Sequence, residues 1–134
     1  MEDRNTLLLE KKELSEKIYK NTLAQSESIA DENIENLLIL VESRQKLLDR
    51  IAGIDQGMEQ YQRNAGKLQT LELDIINFFK QIYELDKENA ENLAKIKEET
   101  FNRIQQVKHS KEAMSNGYMK QNISAYGYFL DKKK

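Results

Sequence analysis

The chain has 134 residues, 33% of them charged and 39% hydrophobic, with a formal net charge of −2 and no proline, cysteine or tryptophan. Without cysteine there is no disulfide, no thiolate nucleophile and no sulfur-ligated metal, and a charge so close to neutral gives no reason to expect a nucleic-acid binder. No apolar run approaches the ~20 residues that a bilayer-spanning helix needs, and the acidic start MEDRNTLLLEKKE lacks the pattern of a signal peptide. The absence of cysteine is compatible with the cytosol, and no membrane insertion is expected.

Leu, Ile, Glu, Lys, Gln and Asn dominate, and only five residues are glycine. Proline breaks a helical ladder and glycine costs entropy inside it, so this composition favours long helices. Each helix can bury a narrow stripe rather than a thick core. The predicted fold is all-α, one domain over residues 1–134: an elongated antiparallel hairpin or bundle of three long helices plus a short C-terminal helix or tail.

The first helix is expected over about 5–27. Leu7, Leu8, Leu14, Ile18, Thr22 and Leu23 share one face, with Glu and Lys opposite. The stripe fades at AQSES, and Ser28 or Asp31 then offers an oxygen to cap the next helix.

The second helix is expected over about 31–56. Ile34, Leu37, Val41, Arg44, Leu48 and Ile51 follow the three-four spacing of a packed seam. Arg44 interrupts it. Either its stem lies along the interface while its charge reaches water or a carboxylate, or it pairs with a separate partner. Gly53, Gly57 and Gly66 then punctuate the chain, which places the turn in 57–67.

The third helix is expected over about 67–116. Leu71, Ile75, Phe78, Ile82 and Leu85 form a clean seam with Phe79 beside it, and the stripe resumes at Leu93, Ile96, Thr100, Ile104 and Val107. Between Leu85 and Leu93 the seam position is Asn89, and a spacing of four plus four is a stutter that locally unwinds a supercoil. The helix either continues with a changed face or bends there. Fifty residues would extend ~75 Å, about twice what either earlier helix covers. A client or a second copy, as in a homodimer, would cover the remainder.

Catalytic chemistry is not visible. His109 is a lone histidine on a polar face, and a di-metal bundle site needs two Glu-x-x-His pairs. Glu98 and Glu99 are helix neighbours pointing outward, and no glycine-rich phosphate loop is present. The chain is expected to be no enzyme and to hold no cofactor or metal.

The C-terminal stretch 117–134 is different. It holds four of the ten aromatic residues (Tyr118, Tyr126, Tyr128 and Phe129) and ends in three lysines. Met119, Ile123 and Tyr126 fall on one face of a short helix. Leaving several aromatics in water makes an apolar patch of the kind that marks a binding surface. The tail therefore docks: on its own bundle, on a second subunit, or in competition with a client for one groove. Lys108, Lys111, Lys120 and Lys132–Lys134 offer a basic alternative with steep salt dependence, against which the acidic remainder argues.

The ending ISAYG followed by apolar residues, after a long amphipathic helix, resembles the C-terminus of the FliT-type flagellar export chaperones. The segment VESRQKLLDRIAGID is similar to one found in both the FliT and FlgN chaperones. The resemblance implies a cytoplasmic chaperone of flagellar type III export that binds the C-terminal segment of a late substrate. FliT-type members serve the filament-cap protein and FlgN-type members the hook–filament junction proteins; both deliver their clients to the export gate and its ATPase. It also implies that residues 118–130 cover the client groove until displaced, while the DKKK end departs from the family pattern. The expected client lining is Ile75, Phe78, Phe79 and Ile82 opposite Leu37, Leu38 and Val41, with Tyr118, Met119, Ile123, Tyr126 and Phe129 as the competing tail. For Ile75, Phe78 and Ile82 plain core packing is the competing expectation; Phe79, beside the seam, is the better client contact. The alternatives are a FlgN-type chaperone and a non-catalytic coiled-coil adaptor.

Overall fold

A computed structural model describes residues 4–61 and 70–115. Among them the fold is all-α: α1 (Arg4–Ala30), α2 (Ile34–Met58) and α3 (Thr70–Ser115). By packing, the chain divides into two compact units, Met1–Asn92 and Leu93–Lys134, and α3 contributes to both.

The first unit is built on a tight α1–α2 hairpin. The end of α1 is closed by two reversed hydrogen bonds, Asn33 N–H to Ser28 O at 2.8 Å and Glu32 N–H to Ile29 O at 3.0 Å. These are the 6→1 and 5→2 bonds of a Schellman closure, which needs a left-handed residue just past the helix. Glu32 supplies it with φ 54°, where glycine is the usual occupant. Asn33 then caps α2, its side-chain oxygen accepting from Asn36 N–H at 3.1 Å. Neither expected cap holds. Ser28 remains inside α1 and its Oγ accepts from Asn36 Nδ2 at 2.7 Å, Asp31 lies in the turn, and α2 begins three residues later than the expected 31.

Gly53 and Gly57 lie within α2 rather than in a turn. The helix stops at Met58 and tightens through Glu59 N–H to Gln56 O and Tyr61 N–H to Met58 O. The tighter i→i−3 bonding is a common way for a last turn to satisfy its carbonyls.

The core of this unit joins all three helices. Leu7, Leu14 and Ile18 of α1, Ile51 and Ile54 of α2, and Ile82 of α3 form one buried cluster. Each such side chain removed from water contributes roughly 1.5–3 kcal/mol. Tyr19, Leu47, Leu48, Met58, Tyr61, Phe78 and Phe79 pack around it half-buried, with the Tyr19 and Phe78 rings 5.9 Å apart at 46°.

Toward the α1–α2 turn the interior changes character. Thr22, Gln25, Ser28 and Asn89 are buried there, and Ser15 is buried farther down α1 between Leu14 and Ile18. Thr22 Oγ1 donates to Ile18 O at 2.8 Å and Ser15 Oγ to Lys11 O at 2.8 Å, so both hydroxyls are satisfied by their own helix. Asn21 Nδ2 donates to Leu40 O at 2.9 Å, and Gln25 Nε2 to Asn21 Oδ1 at 2.8 Å. The fading of the stripe after Leu23 is therefore a change of chemistry, not an end of packing: α1 runs on to Ala30 with Ile29 buried, while Leu23 itself is exposed.

Arg44 belongs to this polar layer. Its Nη1 donates to Asp86 Oδ1 at 2.7 Å and to Thr22 Oγ1 at 3.1 Å, tying α2 to α3 and α1. The carboxylate it reaches is thus one of its own chain. Two other residues of the expected α2 seam, Ile34 and Val41, point outward instead.

α3 runs unbroken through Asn89. Asn89 is buried at the stutter, its Oδ1 accepting from Ser26 Oγ at 2.8 Å while its Nδ2 has no partner among the described residues. In the second unit, Leu93, Ile96 and Ile104 are half-buried, whereas Phe101, Val107 and Met114 are exposed.

Candidate helix-docking surface

On α3 the seam residues turn inward and leave a second apolar row beside them. Ile75 and Ile82 are 6% and 5% exposed. Leu73, Ile76 and Tyr83 are exposed, Tyr83 by 68%, and Phe79 is half-buried. Ile76, Phe79 and Tyr83, three and four apart, lie on one helical face.

That row borders an open cleft of about 680 Å³, lined by Ile75, Ile76, Phe79 and Tyr83 together with Lys11, Lys80 and Glu84. A mainly apolar lining with a few charged groups suits a helix laid in a groove: burial for affinity and charge for direction. A neighbouring cleft of about 590 Å³ reaches from Ile75 and Ile76 to Leu8, Met58 and Tyr61. Its rim is fixed by ion pairs, Arg4 with Glu72 and Lys11 with Asp55 at 2.6 Å. Lys11–Asp55 joins α1 to α2, and Lys12 with Asp74 at 3.3 Å adds a second tie between α1 and α3. Arg4–Glu72 is part-buried, whereas the more exposed Lys12–Asp74 pair contributes ~0–1 kcal/mol.

The expected lining is therefore divided. Ile75, Phe78 and Ile82 serve mainly the interior, Phe78 against Tyr19. Phe79 stands at the groove. Leu38, 63% exposed on α2, lines neither cleft, so the structure does not bring it opposite the α3 residues. Tyr118, Met119, Ile123, Tyr126 and Phe129 lie outside the described residues. Ile76 and Tyr83 were not singled out in the sequence, although their spacing around Phe79 is a second stripe about 100° from the seam.

His109 is exposed on α3. Among the described residues no group of three or more His, Cys, Asp or Glu is placed to hold a metal ion, and no helix is long and apolar enough to cross a membrane. No family model, curated protein or solved structure matches the chain.

Proposed function

We propose that this chain is a non-catalytic, cytoplasmic chaperone of the flagellar type III export system that receives the C-terminal helical segment of a filament-cap protein. The observation that carries the reading is the open apolar groove on α3, where Ile76 and Tyr83 stay exposed beside Phe79. An amphipathic client helix would bury this row and be kept from premature assembly while it is bound. In this reading residues 118–130 compete with the client for the groove, and the export gate and its ATPase are the downstream partners.

Calorimetric titration with the C-terminal segments of a cap protein and of a hook–filament junction protein tests it. The cap segment is expected to bind, and to bind more tightly to a chain ending at Asn116. Joint replacement Phe79→Ala and Tyr83→Ala is expected to weaken binding by about tenfold or more, or ~1.4 kcal/mol and above. Circular dichroism of the variant checks that the helices persist. Selectivity for the junction segment would move the chain to the FlgN type, and absence of binding by a folded chain would end the chaperone reading.

A dimerising adaptor is the second reading. It is favoured by the exposure of Phe101, Val107 and Met114 on the later part of α3, and a permanent dimer in sedimentation without client affinity would support it.

A further inference from the structure

The N-terminal half of α2 has an unusual distribution of polarity. Its inward contacts include, beside the buried Leu37, several polar ones: Asn36 to Ser28, the Leu40 carbonyl to Asn21, Arg44 to Thr22 and Asp86. Among its exposed side chains is an apolar stripe. Ile34 is 45% exposed, Leu38 63% and Val41 46%. Spaced by four and three, they make one stripe, which Leu48, half-buried, continues at the next heptad.

An acidic row follows this stripe one residue behind. Glu35 succeeds Ile34, Glu42 succeeds Val41 and Asp49 succeeds Leu48, so the three acids share a flank at intervals of seven. All three are exposed. Among the described residues Glu35 and Glu42 make no ion pair, and Asp49 accepts a neutral hydrogen bond from Gln45 at 2.9 Å. From residue 31 to residue 49 there are five acids and two basic residues, and one of those two, Arg44, is turned inward onto Asp86.

We propose that this face of α2 is a docking surface for an amphipathic helix of another protein, one that carries Lys or Arg beside its own apolar stripe. The apolar spacing selects a helix, because residues three and four apart line up only on a helical partner of matching pitch. The unpaired acids select the charge of its flank. The same charge disfavours an anionic membrane surface, which attracts basic segments and repels acidic ones. It also opposes a second copy docked antiparallel across this face, since that arrangement sets one acidic row against another. The surface is distinct from the α3 groove, and the inference stands whether or not the chaperone reading does.

The test uses two synthetic eighteen-residue helical peptides with one leucine stripe, flanked by lysine in the first and by glutamate in the second. Each is titrated into the full chain, followed by calorimetry and by backbone amide shifts. The lysine peptide is expected to bind at least tenfold more tightly than the glutamate peptide and to shift amides between Ile34 and Asp49. Leu38→Glu is expected to lose at least tenfold in affinity. The surface pair Glu35→Lys with Glu42→Lys, which disturbs no buried group, is expected to reverse the preference between the peptides. Shifts confined to another face, equal affinity for both peptides, or no binding would overturn the proposal. So would a concentration-dependent dimer that Leu38→Glu abolishes, which would give the surface to a second copy.

Discussion

Glu32 holds the one backbone conformation that its side chain disfavours. A left-handed φ at a residue with a Cβ costs roughly 1–2 kcal/mol, and Glu32 accepts it because its N–H and that of Asn33 close α1. Glu32→Gly is expected to raise stability by about 0.5–1 kcal/mol, part of the gain being offset by the greater freedom of glycine in the unfolded chain. Asn33→Ala is expected to lower it by about 1 kcal/mol by freeing the Asn36 amide. Urea titrations of the two variants, with unchanged slopes and midpoints displaced in opposite directions, would check both. A Glu32→Gly variant no more stable than the parent would mean that its turn carries no strain.

At the scale of the elements, α3 keeps its helical course at Asn89 although the side chain there is polar, buried and only half satisfied. A buried donor without a partner costs about 1–3 kcal/mol. Asn89→Leu removes that donor and adds apolar burial, while the Ser26 hydroxyl turns its one proton to the Thr22 carbonyl 3.2 Å away. The variant is expected to be more stable by about 1–3 kcal/mol in denaturant unfolding. A polar residue in a seam is also the kind of feature that fixes register. Amide spectra of the leucine variant that show two sets of signals for α3 would indicate that Asn89 holds one alignment at the expense of stability. A fall in stability would show that the amide is better satisfied than its neighbours suggest.

For the molecule as a whole, the sequence disclosed what depends on apolar periodicity. Leu7, Leu14, Ile18, Ile51, Ile75 and Ile82 were legible as interior, and the helices they define are those observed, within a few residues at each end. What periodicity does not reveal is which neighbour covers a face. Of the expected α2 seam, Leu37 and Arg44 face inward while Ile34 and Val41 do not, and Asn21, Thr22 and Asp86 supply polar partners to the Leu40 carbonyl and to Arg44 from the other helices. Serine and threonine concealed this layer: by bonding to their own helix carbonyls they enter an interior without the apolar signature of a core residue. Phe79 was legible as a flank of the seam. Ile76 and Tyr83 belong to a flanking stripe that the periodicity of the core does not mark.

The polar layer has a further consequence for how the first unit breathes. Separating helices across Leu14, Ile18, Ile51 and Ile82 exposes hydrocarbon, whereas separating them across Thr22, Arg44, Asp86 and Asn89 mainly exchanges internal hydrogen bonds for water. Sub-global opening is therefore expected to begin at the polar end. Amide hydrogen exchange there, at residues 22–29 and 37–44, should report a free energy lower by about 2 kcal/mol or more than at residues 14–18 and 51–54. Because less apolar surface is uncovered there than in the core, chiefly Ile29 and Leu37, its dependence on denaturant should be shallower than at the apolar end, and added salt should lower it further by screening Arg44 from Asp86. Uniform protection along α1 and α2 would mean that the two ends open as one, leaving the outward apolar face of α2 as rigid as the core behind it.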